Sequence, residues 1–118
     1  MKNVERFFGL HFDFHAGPDS VDIGGTTTDE SIQKIIDMVD PDFVQCDSKG
    51  HLGLSSYPTK VGYPAPSIKN DLLKIWRRVT EKNGVSLFVH HSGIWDKEAL
   101  AHHPEWAVIR ADGSKSEY

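Results

Sequence analysis

Three short apolar runs begin near residues 7, 42 and 85, and the two stretches between them carry apolar residues at helical spacing. No other feature restricts the fold as much. Strand, helix, strand, helix, strand implies a parallel sheet joined by right-handed crossovers. Phe7 to Phe14 reads as the first strand, closed by Ala16-Gly17-Pro18. A period of two puts Leu10, Phe12 and Phe14 on one face and His11, Asp13 and His15 on the other. Thr27 with Glu30 fits a capping box ahead of Ile32, Ile35, Ile36 and Val39, one stripe of a helix that Pro41 ends. Asp42 to Asp47 is the second strand. The glycine- and serine-rich stretch from Ser48 to Pro66 exceeds the roughly 12–15 residues usual for a loop without a function. Ile68, Leu72, Ile75, Trp76 and Val79 mark a second helix stopped by Asn83-Gly84, and Val85 to His91 is the third strand. Asp96 to His103 forms a short helix, and Trp106 to Arg110 a short strand entering an Asp112-Gly113 turn.

Composition narrows the function. The 118 residues suit one domain spanning 1–118, with no linker or repeat of low complexity. Seventeen acidic against thirteen basic side chains leave a net charge of −4, so there is no basic face for nucleic acid. No apolar run approaches the roughly 18 residues that span a bilayer. The amino terminus has no signal-peptide core, so a cytoplasmic protein is expected. Cys46 is the single cysteine, which excludes an intramolecular disulfide and a cysteine pair for metal.

Seven histidines stand out, and five of them (His11, His15, His51, His90, His91) lie in or just after the strand segments. Ligands of parallel α/β folds bind beyond the carboxyl ends of the strands. Those ends carry Asp13 and His15 on the first strand, Gln45 and Asp47 on the second, and His90 and His91 on the third. Each alone has an ordinary explanation: a strand-end histidine often bonds only a carbonyl, and Asp47 suits a turn in Asp-Ser-Lys-Gly. Trp76 reads as core, Trp95 and Trp106 as core or rim, and His102 and His103 as solvated. Their coincidence on one rim favours a site. Two chemistries fit it. His11-x-Asp13-x-His15 offers metal ligands on one strand face, as in metal-dependent hydrolases. A carbohydrate site would instead use Asp, His, Lys and Trp to bond and stack on a polyhydroxylated ring, with a pair of carboxylates at the scissile bond.

Five blocks in order carry a family resemblance: Phe8-Gly9-Leu10-His11-Phe12-Asp13-Phe14-His15, Pro41-Asp42-Phe43-Val44-Gln45-Cys46-Asp47-Ser48-Lys49-Gly50-His51, Tyr57-Pro58-Thr59-Lys60, His90-His91-Ser92-Gly93-Ile94-Trp95-Asp96 and His103-Pro104-Glu105-Trp106-Ala107. Together they resemble the amino-terminal part of a glycoside hydrolase family related to the α-L-fucosidase barrels. Ala16 replaces the Trp of the fucosidase first block, Asp47 and Ser48 stand where two sugar-binding histidines would be, and only Ser92 is kept from Tyr-Tyr-Ser. The resemblance implies about three βα units of a (β/α)8 TIM barrel. It implies a carbohydrate substrate, no cofactor, and a sugar-binding rim of His11, Asp13, His15, Asp47, Lys49, His51, His90, His91 and Trp95. Both catalytic carboxylates would lie beyond Tyr118, because a complete barrel needs about 250 residues. The 118-residue chain alone is then expected to be inactive and to self-associate through its unpaired sheet edge.

Overall fold

A computed structural model describes residues 7–117. The elements are β1 (Gly9–Phe12), α1 (Asp29–Val39), β2 (Phe43–Lys49), β3 (Leu54–Ser55), β4 (Tyr63–Pro64), α2 (Leu72–Lys82), β5 (Ser86–His91) and α3 (Lys97–His102), followed by a single 3-10 turn at Pro104–Trp106. The fold is α/β with a mostly parallel sheet. β2 is central, pairing in parallel with β1 from Gly9↔Phe43 to Phe12↔Cys46 and with β5 from Phe43↔Ser86 onward. Consecutive βα units are therefore neighbours in space, with no strand skipped. Gly9 permits the first contact, since a Cβ there would lie 2.2 Å from the Phe43 ring.

Alternation along β2 sorts the two faces of the sheet. Val44 and Cys46, both buried, join Ile32 and Ile36 of α1 and Ile75, Trp76 and Val79 of α2 in the main core, with Leu10, Phe12 and Leu87 packed against it. Each fully buried aliphatic side chain there contributes roughly 1.5–3 kcal/mol. Phe43, Gln45 and Asp47 belong to the opposite face by the same period, as do His11, Phe88 and His90 through their registers. Phe88 meets Phe43 edge-on at 5.7 Å yet stays half exposed. Parallel sheets normally have both faces covered. Here the helices cover one.

Several boundaries differ from the sequence reading. The N-cap of α1 is Thr28, whose hydroxyl accepts from the Ser31 backbone N–H while Ser31 Oγ accepts from Thr28 N–H. It is not the Thr27–Glu30 pair, because three threonines in a row (Thr26 to Thr28) offer the same signal and Ser31 closes the box. Asp40 ends α1 in a left-handed conformation (φ 48°) with its N–H on the Ile36 carbonyl, just ahead of Pro41. Ile68 precedes α2 and bridges Ile23. The stretch from 48 to 66 holds the end of β2 together with β3 and β4, with Lys49 opposite Ser55. In place of a strand at 106–110 there is the 3-10 turn and one bridge, Ile109↔Lys115, around the expected Asp112-Gly113 turn. Trp106 is exposed and stacks on His103 at 3.9 Å, so it is not core, whereas Trp76 is. His102 is also exposed but stacks on Tyr63 at 4.6 Å. Among the described residues no helix is long and apolar enough to cross a membrane.

Candidate functional site

The polar residues of the strand ends meet at one place. β2 carries Asp47 to the sheet's carboxyl edge directly opposite His90 of β5. The His90 ring places Nδ1 2.9 Å from Asp47 Oδ1. A carboxylate oxygen accepts, so Nδ1 carries the proton and Nε2 of neutral His90 is left bare. On the other side, His15 Nε2 lies 2.9 Å from Asp47 Oδ2 and 3.3 Å from Asp13 Oδ1. The Asp47 side chain is 1% exposed, against 38% for His15 and 39% for His90. A buried carboxyl thus sits beneath two imidazoles that reach solvent. Its Oδ2 has no aligned hydrogen-bond donor among the described residues, although His15 stands at ion-pair distance.

Beyond Asp47 the pairing of β2 with β5 slips by one residue, so that Lys49 stands opposite His91. Bulges of this kind re-aim side chains at sheet rims. Ser48, left over by the slip, donates its hydroxyl to the His90 carbonyl at 3.0 Å. Its single proton being used, the 3.1 Å contact with His91 Nδ1 has the imidazole as donor. Ser56 Oγ donates to the Asp47 carbonyl and Ser92 N–H to the Lys49 carbonyl, each at 3.0 Å. These backbone ties hold both strand ends in place.

Lys49 is ion-paired with Asp96, and both side chains are largely buried. Asp96 also caps α3 by accepting from Ala99 N–H at 2.8 Å. The next amides of α3 bond the preceding loop: Lys97 N–H reaches the His51 carbonyl and Glu98 N–H the Leu52 carbonyl. Gly53 completes the junction at φ +85°, where a Cβ would lie 2.1 Å from Asp96 Oδ1. This docking sets Trp95 edge-on against His51 at 4.7 Å, and His51 lies 5.1 Å from the His15 ring. Two adjoining depressions result. One of about 460 Å³ is lined by His15, Ala16, His51, Leu52 and Trp95. The other, about 410 Å³, runs from His51 and Trp95 to His90, His91 and Ser92.

Electrostatics follow from these contacts. Asp13 is held below the ordinary carboxylate range, first by its side-chain hydrogen bond with Asp47 and then, against desolvation, by the charges of His15 and His11. Burial works against ionisation of Asp96, but the hydrogen bonds from Lys49 and the Ala99 amide outweigh it and lower the pKa. The Cys46 thiol, on the helix-covered face, is pushed up to about 12 by burial and then by the Asp47 charge.

Of the nine residues expected on the rim, His15, Asp47 and His90 converge, with Asp13 touching His15. His51 and Trp95 form the adjoining wall, and His91 is tied to Ser48. Lys49 is engaged by Asp96. His11 lies on β1 opposite Gln45, one layer away from Asp47. The ligand trio His11, Asp13 and His15 is not formed, because β1 stops at Phe12 and the strict alternation stops with it. The three described residues whose ligand atoms all lie within 4.8 Å are His15, Asp47 and His90. Sequence reasoning missed Ser48 and Asp96. An aspartate three residues before Ala99 at a helix start was a usable signal for Asp96, whereas nothing local marks the bulge at Ser48.

No protein-family model matches the sequence, and no curated protein matches it. The fold is similar to that of a solved structure, the α-L-fucosidase isoenzyme 2 from Paenibacillus thiaminolyticus, with a TM-score of 0.82 and 21% sequence identity. That match covers 92% of this chain and 16% of the fucosidase. It is a likeness of fold. The likeness is in the path of the backbone, in a chain spanning about one-sixth of the fucosidase's length.

Proposed function

We propose that this chain supplies the first βα units of a (β/α)8 glycoside hydrolase barrel and bears part of its carbohydrate-binding mouth. The observation that carries the reading is the buried Asp47 carboxyl held between His15 and His90 at the carboxyl edge of parallel strands. Three features support the barrel. Consecutive strands β1, β2 and β5 are neighbours, the helices cover one face, and the uncovered face holds Phe43, Phe88 and the polar cluster. In a closed barrel that face is the interior, filled by side chains, and ligands bind at its carboxyl end. The outer edges of β1 and β5, unpaired among the described residues, are where further strands would join, or a second copy of the chain would.

The donor set suits a sugar. Asp47 fixes the tautomer of His90, so that its bare Nε2 accepts from a hydroxyl, and His15 and His51 line the adjoining depression. Trp95, half exposed beside His51, offers a stacking face. Lys49, tied to Asp96, and His91, tied to Ser48, position the rim more than they contact the ring. His11 lies deeper on the open face. Hydrolysis would need carboxylates flanking the bond from other parts of the barrel, with α-L-fucosides the first substrates to try. Titrating a panel of monosaccharides and aryl glycosides, α-L-fucosides included, into the chain tests the reading. Binding that Asp47→Ala and His90→Ala weaken at least tenfold, with His102→Ala unchanged, is expected. Equal affinity in all variants for every glycan bound would refute it.

A further inference from the structure

Among the described residues, two buried side-chain atoms lack a hydrogen-bond partner, Trp76 Nε1 in the core and Asp47 Oδ2, an oxygen of a side chain that is 1% exposed, with an imidazole nitrogen 2.9 Å away. A buried acceptor left in this condition has lost its hydration without a compensating hydrogen bond. Around it stand two further ligand types. His15 Nε2 and His90 Nδ1 each lie 2.9 Å from an Asp47 oxygen, and one ligand atom from each of the three residues falls within 4.8 Å of the others. Asp13 Oδ1 is 3.3 Å from His15 Nε2. Ligands bound tetrahedrally at about 2.0–2.1 Å stand about 3.3 Å apart, so these separations are close to those a metal would impose.

We propose that His15 Nε2, His90 Nδ1 and the Asp47 carboxylate bind one zinc-class divalent cation, with the Asp13 carboxylate within reach as a fourth ligand. This does not rest on the glycan reading. Two imidazoles with carboxylate suit zinc, whereas magnesium and calcium prefer oxygen ligands alone. Both rings are more than a third exposed, so the cation can enter from solvent and the rings can turn to close the remaining gap. On binding, the Nδ1 proton of neutral His90 is displaced by the metal and the ring takes up a proton from water at Nε2. The imidazole stays neutral, and its free nitrogen changes from acceptor to donor.

Zinc titrated into EDTA-stripped chain, followed by calorimetry and by ¹⁵N spectra of the histidine rings, tests the proposal. One zinc per chain is expected, with His90 changing from the Nδ1–H to the Nε2–H tautomer. His15→Ala, His90→Ala and the isosteric Asp47→Asn are each expected to weaken binding by more than the roughly 10–100-fold that outer partners of metal sites contribute. His102→Ala is expected to change nothing. Far-UV circular dichroism identifies any variant that fails to fold, and Asp47→Asn keeps the shape of the site if the alanine variants do not. Zinc affinity unchanged in His15→Ala and Asp47→Asn would overturn the proposal, since the surface pairs Glu98–His102 and His103–Glu105 would then be holding the ion. Fewer than one zinc per wild-type chain at saturation would overturn it too.

Discussion

Replacing Asp47 by alanine separates a carboxyl that organises the mouth from one that is merely enclosed by it. The side chain accepts one hydrogen bond from His90 at 2.9 Å and has His15 at the same distance on its other oxygen. A hydrogen bond to a charged group contributes about 1.5–3 kcal/mol. That range must be discounted here, because His15 and His90 are 38% and 39% exposed and their rings can turn to water once the partner is gone. Alanine also removes the unpaired Oδ2, which returns part of a desolvation cost. The net destabilisation is about 1–2 kcal/mol, or about 5–10 °C in Tm for a chain of this size. Urea unfolding followed by circular dichroism measures it, and the variant should keep the wild-type m-value. At the same time the His90 ring should lose its fixed Nδ1–H tautomer, read from ¹⁵N chemical shifts. An unchanged Tm together with an unchanged tautomer would refute the assignment, since nothing else described contacts His90 Nδ1.

Three further outcomes follow from the same contacts. Asp96→Asn keeps the α3 cap and loses the Lys49 ion pair, so it should cost about 1–2 kcal/mol at neutral pH. The folded pKa of Asp96 lies below the ordinary 3.8, so the unfolded chain binds more protons between the two values. The wild-type advantage should therefore be complete well above pH 3.8 and disappear as the pH falls through the folded pKa; a gap in Tm that persists in stronger acid would contradict this. Gly53→Ala forces a left-handed alanine whose Cβ lies 2.1 Å from Asp96 Oδ1, so a loss of about 2–3 kcal/mol is expected, and a wild-type melt would refute the geometry. Cys46, buried with its thiol pushed up to about 12, should react with a disulfide reagent in the native chain far more slowly than in the unfolded chain. Rapid stoichiometric labelling of the native chain would show the opposite.

How far the sequence could be read depended on the range of the signal. Ile32, Ile36, Ile75, Trp76 and Val79 announce two helices by spacing alone, and each is buried where the period requires. Val44 and Cys46 likewise alternate with Gln45 and Asp47, and the period alone brings Asp47 and His90 to one edge. What was not legible depends on partners distant in sequence. Where β1 stops is decided by pairing with β2, and the early stop at Phe12 dissolves the His11–Asp13–His15 face. The bulge beyond Asp47 is a register slip against β5, some forty residues on, and Ser48 acquires its role only through it. The docking of α3 needs Asp96, Gly53 and the carbonyls of His51 and Leu52 together, and no one of these segments encodes it alone. Trp106 shows the limit of composition, since a large aromatic ring near the chain end is stacked on a surface histidine and not enclosed.

The central claim is that His15, Asp47 and His90 form one carbohydrate-receiving mouth on the open face of the sheet. Side-chain NMR of all seven histidines and three tryptophans during a glycan titration examines it most directly. The account predicts that the signals of His15, His51, His90 and Trp95 move together with one binding constant while those of His102, His103 and Trp76 stay still. Movement confined to His102, His103 and Trp106, with the Asp47-bound rings unmoved, would contradict it.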